Sequence, residues 1–374
     1  MSAQLKAAPR VESIPKIDLL GHLLHAKIYP KFYYSARDGS RSFVALGKIA
    51  TVAENELLED GVRAVGAFTF EATHLGEALY IPEYIIEEKN GAFTLTCFTE
   101  KGVCLKSCQA QSAKKATLLN TIHFPDRETW NNRVKNSPLE KIVMGRKTVQ
   151  TYSSAINPYN LIQRLKKSIS PKKNSATLFF YENQPGSVFL GASPEMLFSL
   201  TQQSFESESL AATLPLKSER NWSDKERREF ELVKRYIEET LLPLTEEQKW
   251  SGSDSVKTSA AVKHLYNKIS GTIKSDTSAW DLLRALHPTP AMAGIPKKAA
   301  KGYIHSSETR GFFTAPIGWM ENGRAEFAAA IRCATIKGCE VSLHAAAGIL
   351  ADSDPDSEWE ELDIKMETIG KWLN

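Results

Sequence analysis

The chain has 374 residues, of which 42% are hydrophobic and 24% are charged, a composition typical of a globular protein with a large core. Its 47 basic and 44 acidic side chains leave a net charge of +3, which is too small to indicate a nucleic-acid or membrane-surface partner. The five cysteines are odd in number and form no C-x-x-C pair, which disfavours both a disulfide framework and a zinc site.

The N-terminal residues are polar, contain proline and lack the apolar core of a signal peptide. We expect a cytoplasmic protein in which residues 1–16 form a loosely ordered tail and residues 17–374 form a single domain. A membrane span needs about 18 consecutive apolar residues, and the chain contains no such run.

Strand-like runs occur along most of the chain, and a weak helical pattern covers residues 17–26. Many of the runs are separated by short turns, which favours hairpins and antiparallel sheets. Strands mixed with helices, without regular β-α-β alternation, indicate an α+β fold. The predicted strands lie at residues 42–46, 67–70, 92–98, 176–181, 188–191, 311–319, 326–336 and 339–346.

Two stronger helices are predicted in the second half of the chain. The first covers residues 223–242, where Ser223 and Glu226 have the spacing of a capping box. The second begins at Asp354, which is followed by proline at the first helical position. Both have an apolar stripe, so each is expected to lie against the protein core.

Each of these helices carries two glutamates three residues apart near its start, Glu226 with Glu229 and Glu358 with Glu361. The spacing places both carboxylates of a pair on one helical face. Two such faces brought together would suit Mg²⁺, which prefers carboxylate oxygens and usually also binds an anionic substrate. The alternative is that all four glutamates are solvated charges on surface helices.

Glu195 and Lys141 are a candidate acid and a candidate base. Glu195 follows a strand and a proline and precedes apolar residues, and a carboxyl in apolar surroundings has a raised pKa that suits a general acid. Lys141 begins an apolar strand, where a partly buried amine can act as a base. The alternatives are a strand-edge glutamate that faces water and a surface lysine.

Three further segments indicate a ligand site. Residues 286–296 form a loop that three prolines restrict, in which Gly294 permits close approach of the backbone and His287 is either catalytic or a core histidine. Arg332 interrupts an apolar strand, so it needs a carboxylate partner from the protein or the substrate. The small residues 345–349 leave room for backbone amides to meet an anion. Phosphate-loop, dinucleotide-binding, H-E-x-x-H and serine-elbow motifs are absent.

Taken together, these segments resemble the chorismate-utilising enzymes in order and spacing over residues 139–365. That family includes isochorismate synthases, salicylate synthases and the synthase subunits that make anthranilate and aminodeoxychorismate. The resemblance implies a sandwich of two large packed antiparallel sheets with helices on the outside. The matching segments are K-I-V-M-G-R, G-A-S-P-E-M-L, D-K-E-R-R-E-F-E-L-V, L-H-P-T-P-A-M-A-G-I-P, A-A-I-R-C-A and D-S-D-P-D-S-E-W-E-E-L-D-I-K.

The resemblance also implies roles for individual residues. Glu229 and Glu361 are expected to bind Mg²⁺, with Glu226 and Glu358 supporting them directly or through water. Arg332 and Lys365 would contact the substrate carboxylates. The expected substrate-binding residues are His264, Thr289, Ala291, Phe313, Arg332, Gly348 and Lys365.

Two features favour isochorismate synthase within the family. Lys141 matches the proposed base that activates water for attack at C2, which the ammonia-using synthases lack, and Glu195 resembles the acid that protonates the departing C4 hydroxyl. Ala291 resembles isochorismate synthases, whereas salicylate synthases tend to carry a hydroxyl-bearing residue there. We therefore expect an Mg²⁺-dependent isomerase of the menaquinone or siderophore type. It would bind chorismate without a glutaminase subunit, nucleic acid or membrane, as a monomer or weak homodimer.

Three alternatives remain at this point. They are a salicylate synthase, the main subunit of an anthranilate or aminodeoxychorismate synthase, and a non-catalytic relative that binds chorismate. The last is suggested by Ala212, Ala315 and Ala346, which stand where most relatives have glycine. Each adds a methyl group where the backbone approaches the substrate, and the three are expected to narrow the pocket.

Overall fold

The computed structural model describes residues 8–72, 75, 78–105, 116–169, 175–259 and 262–373. The helices in this part of the chain are α1 (Leu19–His25), α2 (Arg127–Lys135), α3 (Pro158–Ser168), α4 (Asp224–Leu241), α5 (Ala279–Leu286), α6 (Lys297–Ser307) and α7 (Pro355–Gly370), with a 3₁₀ turn at Leu242–Leu244. The strands are β1 (Arg10–Ser13), β2 (Lys31–Ser35), β3 (Arg41–Leu46), β4 (Ala50–Thr51), β5 (Ala64–Ala67), β6 (Leu79–Ile81), β7 (Tyr84–Lys89), β8 (Ala92–Cys97), β9 (Leu118–Phe124), β10 (Lys141–Tyr152), β11 (Thr177–Glu182), β12 (Val188–Ser193), β13 (Met196–Thr201), β14 (Ser204–Pro215), β15 (Thr245–Trp250), β16 (Ser255–Ser259), β17 (Val262–Ile273), β18 (Gly294–Ile295), β19 (Pro316–Glu321), β20 (Arg324–Ala329), β21 (Cys333–Lys337) and β22 (Glu340–Ile349).

These strands form two large antiparallel sheets. The larger sheet has 12 strands in the order β1-β8-β7-β3-β2-β11-β12-β21-β22-β10-β18, with β9 beside β10. The smaller sheet has 10 strands in the order β15-β17-β14-β13-β20-β19-β5-β6-β4, with β16 beside β17. Two large antiparallel sheets accompanied by helices confirm the predicted α+β fold.

One hydrophobic core contains side chains of both sheets. Phe32 and Phe179 belong to the larger sheet and Phe198 and Phe327 to the smaller, and all four are fully buried. Burying one such side chain stabilises a fold by about 1.5–3 kcal/mol. This shared core therefore fixes the position of one sheet relative to the other, and it also holds the side chains that lie between the sheets.

The segment predicted as a loose tail contains a strand. Residues 10–13 form β1 and pair with β8 at the edge of the larger sheet, from Arg10 opposite Cys97 to Ser13 opposite Thr94. All four residues are exposed, so backbone hydrogen bonds hold this strand and hydrophobic periodicity gives no sign of it. Residues 1–7 lie outside the described part of the chain, and the assignment of residues 17–374 to one domain stays a prediction.

The chain crosses between the sheets at two places that carry predicted site residues. Pro194 and Glu195 connect β12 of the larger sheet to β13 of the smaller, and residues 330–332 connect β20 of the smaller sheet to β21 of the larger. The prediction of one strand over residues 326–336 was therefore wrong. Arg332 lies at the crossing, outside both strands, with a φ of +50°. Its side chain therefore does not follow the alternating pattern of a strand, and it can point into the space between the sheets.

The two helices with glutamate pairs pack on different sheets and meet each other. α4 begins with the predicted capping box between Ser223 and Glu226 and packs on β14, and α7 packs on β22. Lys225 Nζ lies 2.5 Å from Glu358 Oε1 and links the start of α4 to the start of α7. In the part of the chain that the structure describes, no helix is long and apolar enough to span a membrane.

Candidate active site

A small cavity lies between the two sheets, below α4 and α7, with a volume of about 60 Å³. Its walls come from β10 and β22 of the larger sheet, from β14 and β17 of the smaller, and from both crossings. Most of the predicted site residues meet here. Those that line the cavity are Glu195, Glu229, His264, Ala291, Phe313, Arg332, Gly348 and Lys365.

Lys141 is fully buried at the start of β10, and its Nζ donates a hydrogen bond of 3.0 Å to Glu229 Oε1. The alternative of a surface lysine is therefore excluded by its burial. Gly348 leaves the space in which this pair sits, because an added Cβ would lie 2.3 Å from Glu229 Oε1 and 3.3 Å from Lys141 Cε. The glycine is needed for this close approach.

Glu195 is buried at the first crossing rather than facing water. Burial and, to a lesser extent, the nearby carboxylate of Glu208 raise the pKa of its carboxyl to about 8, against the opposing effect of Lys257, Arg332 and Lys141. The carboxyl is thus mainly protonated at pH 7. It has the proton that a general acid must supply.

Arg332 and His264 form a buried pair on the opposite wall. Arg332 Nη2 lies 3.3 Å from His264 Nε2, and His264 Nδ1 lies 3.1 Å from the Ala212 carbonyl oxygen. Since a carbonyl only accepts, this network assigns the histidine proton to Nδ1 and leaves Nε2 to accept from Arg332. Burial and the charges of Arg332 and Lys365 hold the pKa of His264 well below its usual value, so the ring is neutral.

The guanidinium of Arg332 is poorly satisfied by protein atoms. Burial lowers its pKa to about 10, against the opposing effect of Glu361 and Glu195. Within the described residues its Nε has no hydrogen-bond partner. A buried cation with an unused donor beside a cavity is suited to binding a carboxylate.

The four predicted metal ligands differ in the hydrogen bonds and ion pairs that their carboxylate oxygens make with the protein. Both oxygens of Glu226 accept hydrogen bonds from Arg220, and one also accepts from the backbone of Ser223. Glu226 therefore holds the start of α4, and Arg220 binds both of its oxygens. Its two hydrogen bonds to Arg220 and the cap hold its pKa below the usual value against the effect of burial.

Each of the other three carboxylates has a lysine amine within salt-bridge distance. Glu229 pairs with Lys141, Glu361 with Lys365, and Glu358 with Lys225. Burial and the neighbouring Glu361 raise the pKa of Glu358, which indicates that these two carboxyls lie close together. Among the described residues no ready-made group of three metal donors is found.

The remaining predicted contacts are Phe313, Ala291 and Thr289, of which the first two line the cavity. Phe313 is buried and its ring stacks on His344 with centroids 5.3 Å apart. Ala291 lines the cavity, whereas Thr289 is buried behind it, with no partner for its hydroxyl in the described structure. Thr289 is thus the one predicted substrate contact that the structure does not bring to the cavity wall.

The three alanines have different surroundings. Ala212 lies at a bulge in β14 with a φ of +58°, a conformation that costs an ordinary residue about 1–2 kcal/mol and glycine almost nothing. Ala346 lines the cavity, and its carbonyl accepts a 2.8 Å hydrogen bond from Lys365. Ala315 is fully buried. The alanine at position 212 therefore strains the backbone as well as filling space.

Arg310 is a central residue that the sequence analysis missed. It donates hydrogen bonds of 2.6 Å to the carbonyls of Met292 and Val143 and one of 3.2 Å to Thr314 Oγ1. These three acceptors belong to separate segments that line the cavity. Its burial and its partners are set by distant segments, so no local pattern around residue 310 indicates this role.

Comparison with known proteins places this geometry among related enzymes. The family model described as "Chorismate binding enzyme" matches residues 61–374. The isochorismate synthase MenF of Haemophilus influenzae is 29% identical, over 94% of this chain and 88% of that protein. Isochorismate synthase 2 of Arabidopsis thaliana is 33% identical over 64% of this chain, which spans only 44% of that longer protein.

Solved structures agree with the sequence relatives. MenF of Escherichia coli, described as the menaquinone-specific isochorismate synthase, superposes with a TM-score of 0.85 at 25% identity, over 98% of this chain and 95% of that one. Anthranilate synthase component I of Streptococcus pneumoniae superposes with a TM-score of 0.68 at 16% identity, over 99% of this chain and 93% of that one. The second likeness is one of fold alone.

Proposed function

Because the chain belongs to the family of chorismate-binding enzymes, we propose that it is an isochorismate synthase, an isomerase that converts chorismate into isochorismate. The observation that carries the proposal is a cavity lined by a protonated carboxyl and a poorly satisfied arginine, with a buried lysine beside it that is hydrogen-bonded to the lining residue Glu229. Lys141, Glu195 and Arg332 are these three groups. The similarity of this chain to isochorismate synthases, in sequence and in structure, supports the same reaction for this protein.

We derive the steps from these side chains. Lys141 acts as a neutral amine and takes a proton from a water molecule, whose oxygen forms a bond to C2 of chorismate. The ring double bonds shift, the bond between C4 and its hydroxyl breaks, and Glu195 gives its proton to the departing oxygen. One water is consumed and one is released, so the net reaction is an isomerisation without a redox cofactor. Arg332 and Lys365 bind the two carboxylates of the substrate and orient its ring.

We propose Mg²⁺ as the cofactor, held by Glu229 and Glu361 with Glu358 beside them. Carboxylate oxygens are suitable donors for this hard cation. Glu226, which the helix cap and Arg220 hold in the structure, would support these ligands directly or through water. When bound, the cation would polarise and position a substrate carboxylate. Lys225 and Lys365, which neutralise two of the carboxylates in the structure, would exchange these contacts.

We also propose a cytoplasmic enzyme that acts alone on chorismate, as a monomer or weak homodimer without a glutaminase subunit. The buried Lys141, hydrogen-bonded to Glu229 beside the cavity, supports the use of water rather than ammonia, because it would serve as the base for water. An ammonia-using enzyme would have no need of this group.

The product assay tests the proposed function. Purified protein is incubated with chorismate and Mg²⁺, with and without EDTA, and the products are separated by chromatography. The proposal requires isochorismate without pyruvate. Salicylate with pyruvate would assign the protein to the lyase branch, and the absence of any product would contradict catalysis on chorismate.

Glu361→Gln is expected to weaken Mg²⁺ binding by roughly 100-fold, because a neutral amide replaces a charged ligand. Titration calorimetry with MgCl₂ measures this directly, and the Mg²⁺ dependence of turnover should shift in parallel. The matched control is Glu360→Gln, which changes an exposed glutamate of the same helix. Equal Mg²⁺ affinity in wild type and Glu361→Gln would exclude Glu361 as a ligand.

Gly348→Ala is expected to lower turnover by about 10-fold to 100-fold. The added methyl would lie 2.3 Å from Glu229 Oε1 and must displace that side chain from Lys141. Gly302→Ala is the control, since a Cβ at that position meets no atom within 4 Å. Steady-state kinetics of both variants measure the effect. Undiminished turnover in Gly348→Ala would show that the hydrogen-bonded pair of Lys141 and Glu229 is dispensable.

A further inference from the structure

The peptide groups on both sides of Glu195 are held by charged side chains from other elements. The carbonyl of Pro194 accepts hydrogen bonds of 2.5 Å from Lys257 Nζ and 3.4 Å from Arg37 Nη1. The amide of Met196 donates one of 2.6 Å to Glu208 Oε1. The segment that presents Glu195 is thus fixed both before and after the glutamate.

The three clamping residues bind one another. Arg37 Nη1 lies 2.7 Å from both carboxylate oxygens of Glu208, and Lys257 Nζ lies 3.1 and 3.3 Å from the same oxygens. The side chain of Glu208 is completely buried, while those of Arg37 and Lys257 are 23% and 12% exposed. We refer to Arg37, Glu208 and Lys257 as the clamp.

The clamp joins the two sheets at the point where the chain passes between them. Arg37 follows β2 of the larger sheet, whereas Glu208 lies in β14 and Lys257 in β16 of the smaller. Burying three charges costs solvation energy that a well-packed apolar core would not cost. A buried ionic cluster at this crossing therefore calls for a role beyond holding the sheets together.

We propose that Arg37, Glu208 and Lys257 are positioning residues, which fix Glu195 at the cavity and set its proton affinity for the reaction. This inference rests on the proposed function, in which Glu195 is the acid. It adds three residues that touch neither the cavity wall nor the substrate and that act through Glu195.

The charges around the two carboxyls support the assignment. Burial alone would raise the pKa of Glu208, but Lys257 and Arg37 hold it below the usual value, so Glu208 remains an anion. That anion and burial raise the pKa of Glu195. Two neighbouring carboxyls with opposed proton affinities are the arrangement that separates an acid from a fixed charge. The other ionisable groups that face this pair are Lys141, Arg332 and Tyr266, while Glu326 acts on Arg37 of the clamp.

Two variants of the clamp are expected to shift the same pH profile in opposite directions. Glu208→Gln removes a negative charge, so the loss of kcat on the basic side should move to lower pH by about one unit. Lys257→Met removes a positive charge, so the same limb should move to higher pH by a similar amount. Glu206→Gln is the matched control, because Glu206 lies two residues earlier in β14 and is half-exposed in a pair with Lys268.

A purely structural role predicts a different result. It would lower stability or kcat in both variants. The fall of kcat at high pH would then occur at the wild-type pH in both variants, or move in the same direction in both. Either result would overturn the proposal. Lys257→Met leaves Glu208 paired with Arg37, so it decides the question even if Glu208→Gln does not fold.

A second readout separates this proposal from the reaction itself. The carboxyl of Glu195 is titrated in the substrate-free protein by infrared difference spectroscopy, with Glu195→Gln to identify its band. Opposite shifts of this titration in the two variants are expected whether or not isochorismate is formed. An unchanged titration would refute the role of the clamp, whereas failure of the product assay alone would refute the proposed function.

Discussion

Lys141→Met is expected to lower kcat for isochorismate formation by roughly 1,000-fold, the scale of general base catalysis. Methionine keeps the length of the side chain in a fully buried position but has no proton acceptor for the attacking water. The proposed contacts of Arg332 and Lys365 with the substrate do not involve this side chain, so KM should change much less than kcat. Steady-state kinetics with chromatographic detection of the product measure both constants.

Lys147→Met is the matched control for this variant. Lys147 lies in the same strand, β10, but is exposed, with its amine over the ring of Phe124. Its replacement should leave kcat unchanged. Isochorismate formation by Lys141→Met at the wild-type rate would mean that another group activates the water.

Glu195→Gln is expected to lower kcat by roughly 1,000-fold, because the amide cannot supply a proton to the departing hydroxyl. In the wild type the carboxyl has a pKa of about 8 as a result of its burial. It is protonated below that value and loses its proton above it, so kcat should fall as the pH rises through 8.

The pH profile distinguishes this role from simple loss of a buried side chain. The fall of kcat near pH 8 should be absent from the residual activity of Glu195→Gln. It should be present in that of Glu195→Asp, which keeps a carboxyl on a side chain one methylene shorter. A limb near pH 8 that persists in Glu195→Gln would assign the titration to a different group.

The local elements of this fold are those that the sequence predicts well. The start of α4 is set by a capping box between residues three apart, and the start of α7 by Asp354 and the proline that follows it. Such signals involve neighbours in the chain, so they are complete in the sequence. The apolar stripes of the two helices likewise predict their buried faces.

The order of strands depends on contacts that are distant in sequence. β5 pairs with β19, and β1 pairs with β8, and nothing in either segment specifies its partner. The division of residues 326–336 between two sheets was missed for the same reason. A continuous apolar run predicts burial, and it does not reveal that the chain changes sheets at Arg332.

The site shows the same limit. Resemblance identified Glu226 as a supporting carboxylate, whereas the structure shows it engaged by Ser223 and Arg220. Glu206 and Glu208 lie two residues apart in one strand, and the sequence gives no reason to expect different burial of their side chains. Yet Glu206 is half-exposed, whereas Glu208 is fully buried and paired with two cations. Burial is a property of the assembled sheets, so the clamp could not be predicted from the sequence.

Incorporation of solvent oxygen tests the central claim most directly. The wild-type protein is incubated with chorismate and Mg²⁺ in H₂¹⁸O, and the isochorismate is analysed by mass spectrometry. Attack of water at C2 with departure of the C4 hydroxyl predicts one ¹⁸O atom, located at C2, in each newly formed product molecule. Unlabelled isochorismate would contradict the proposed roles of Lys141 and Glu195, because the hydroxyl would then have moved within the substrate.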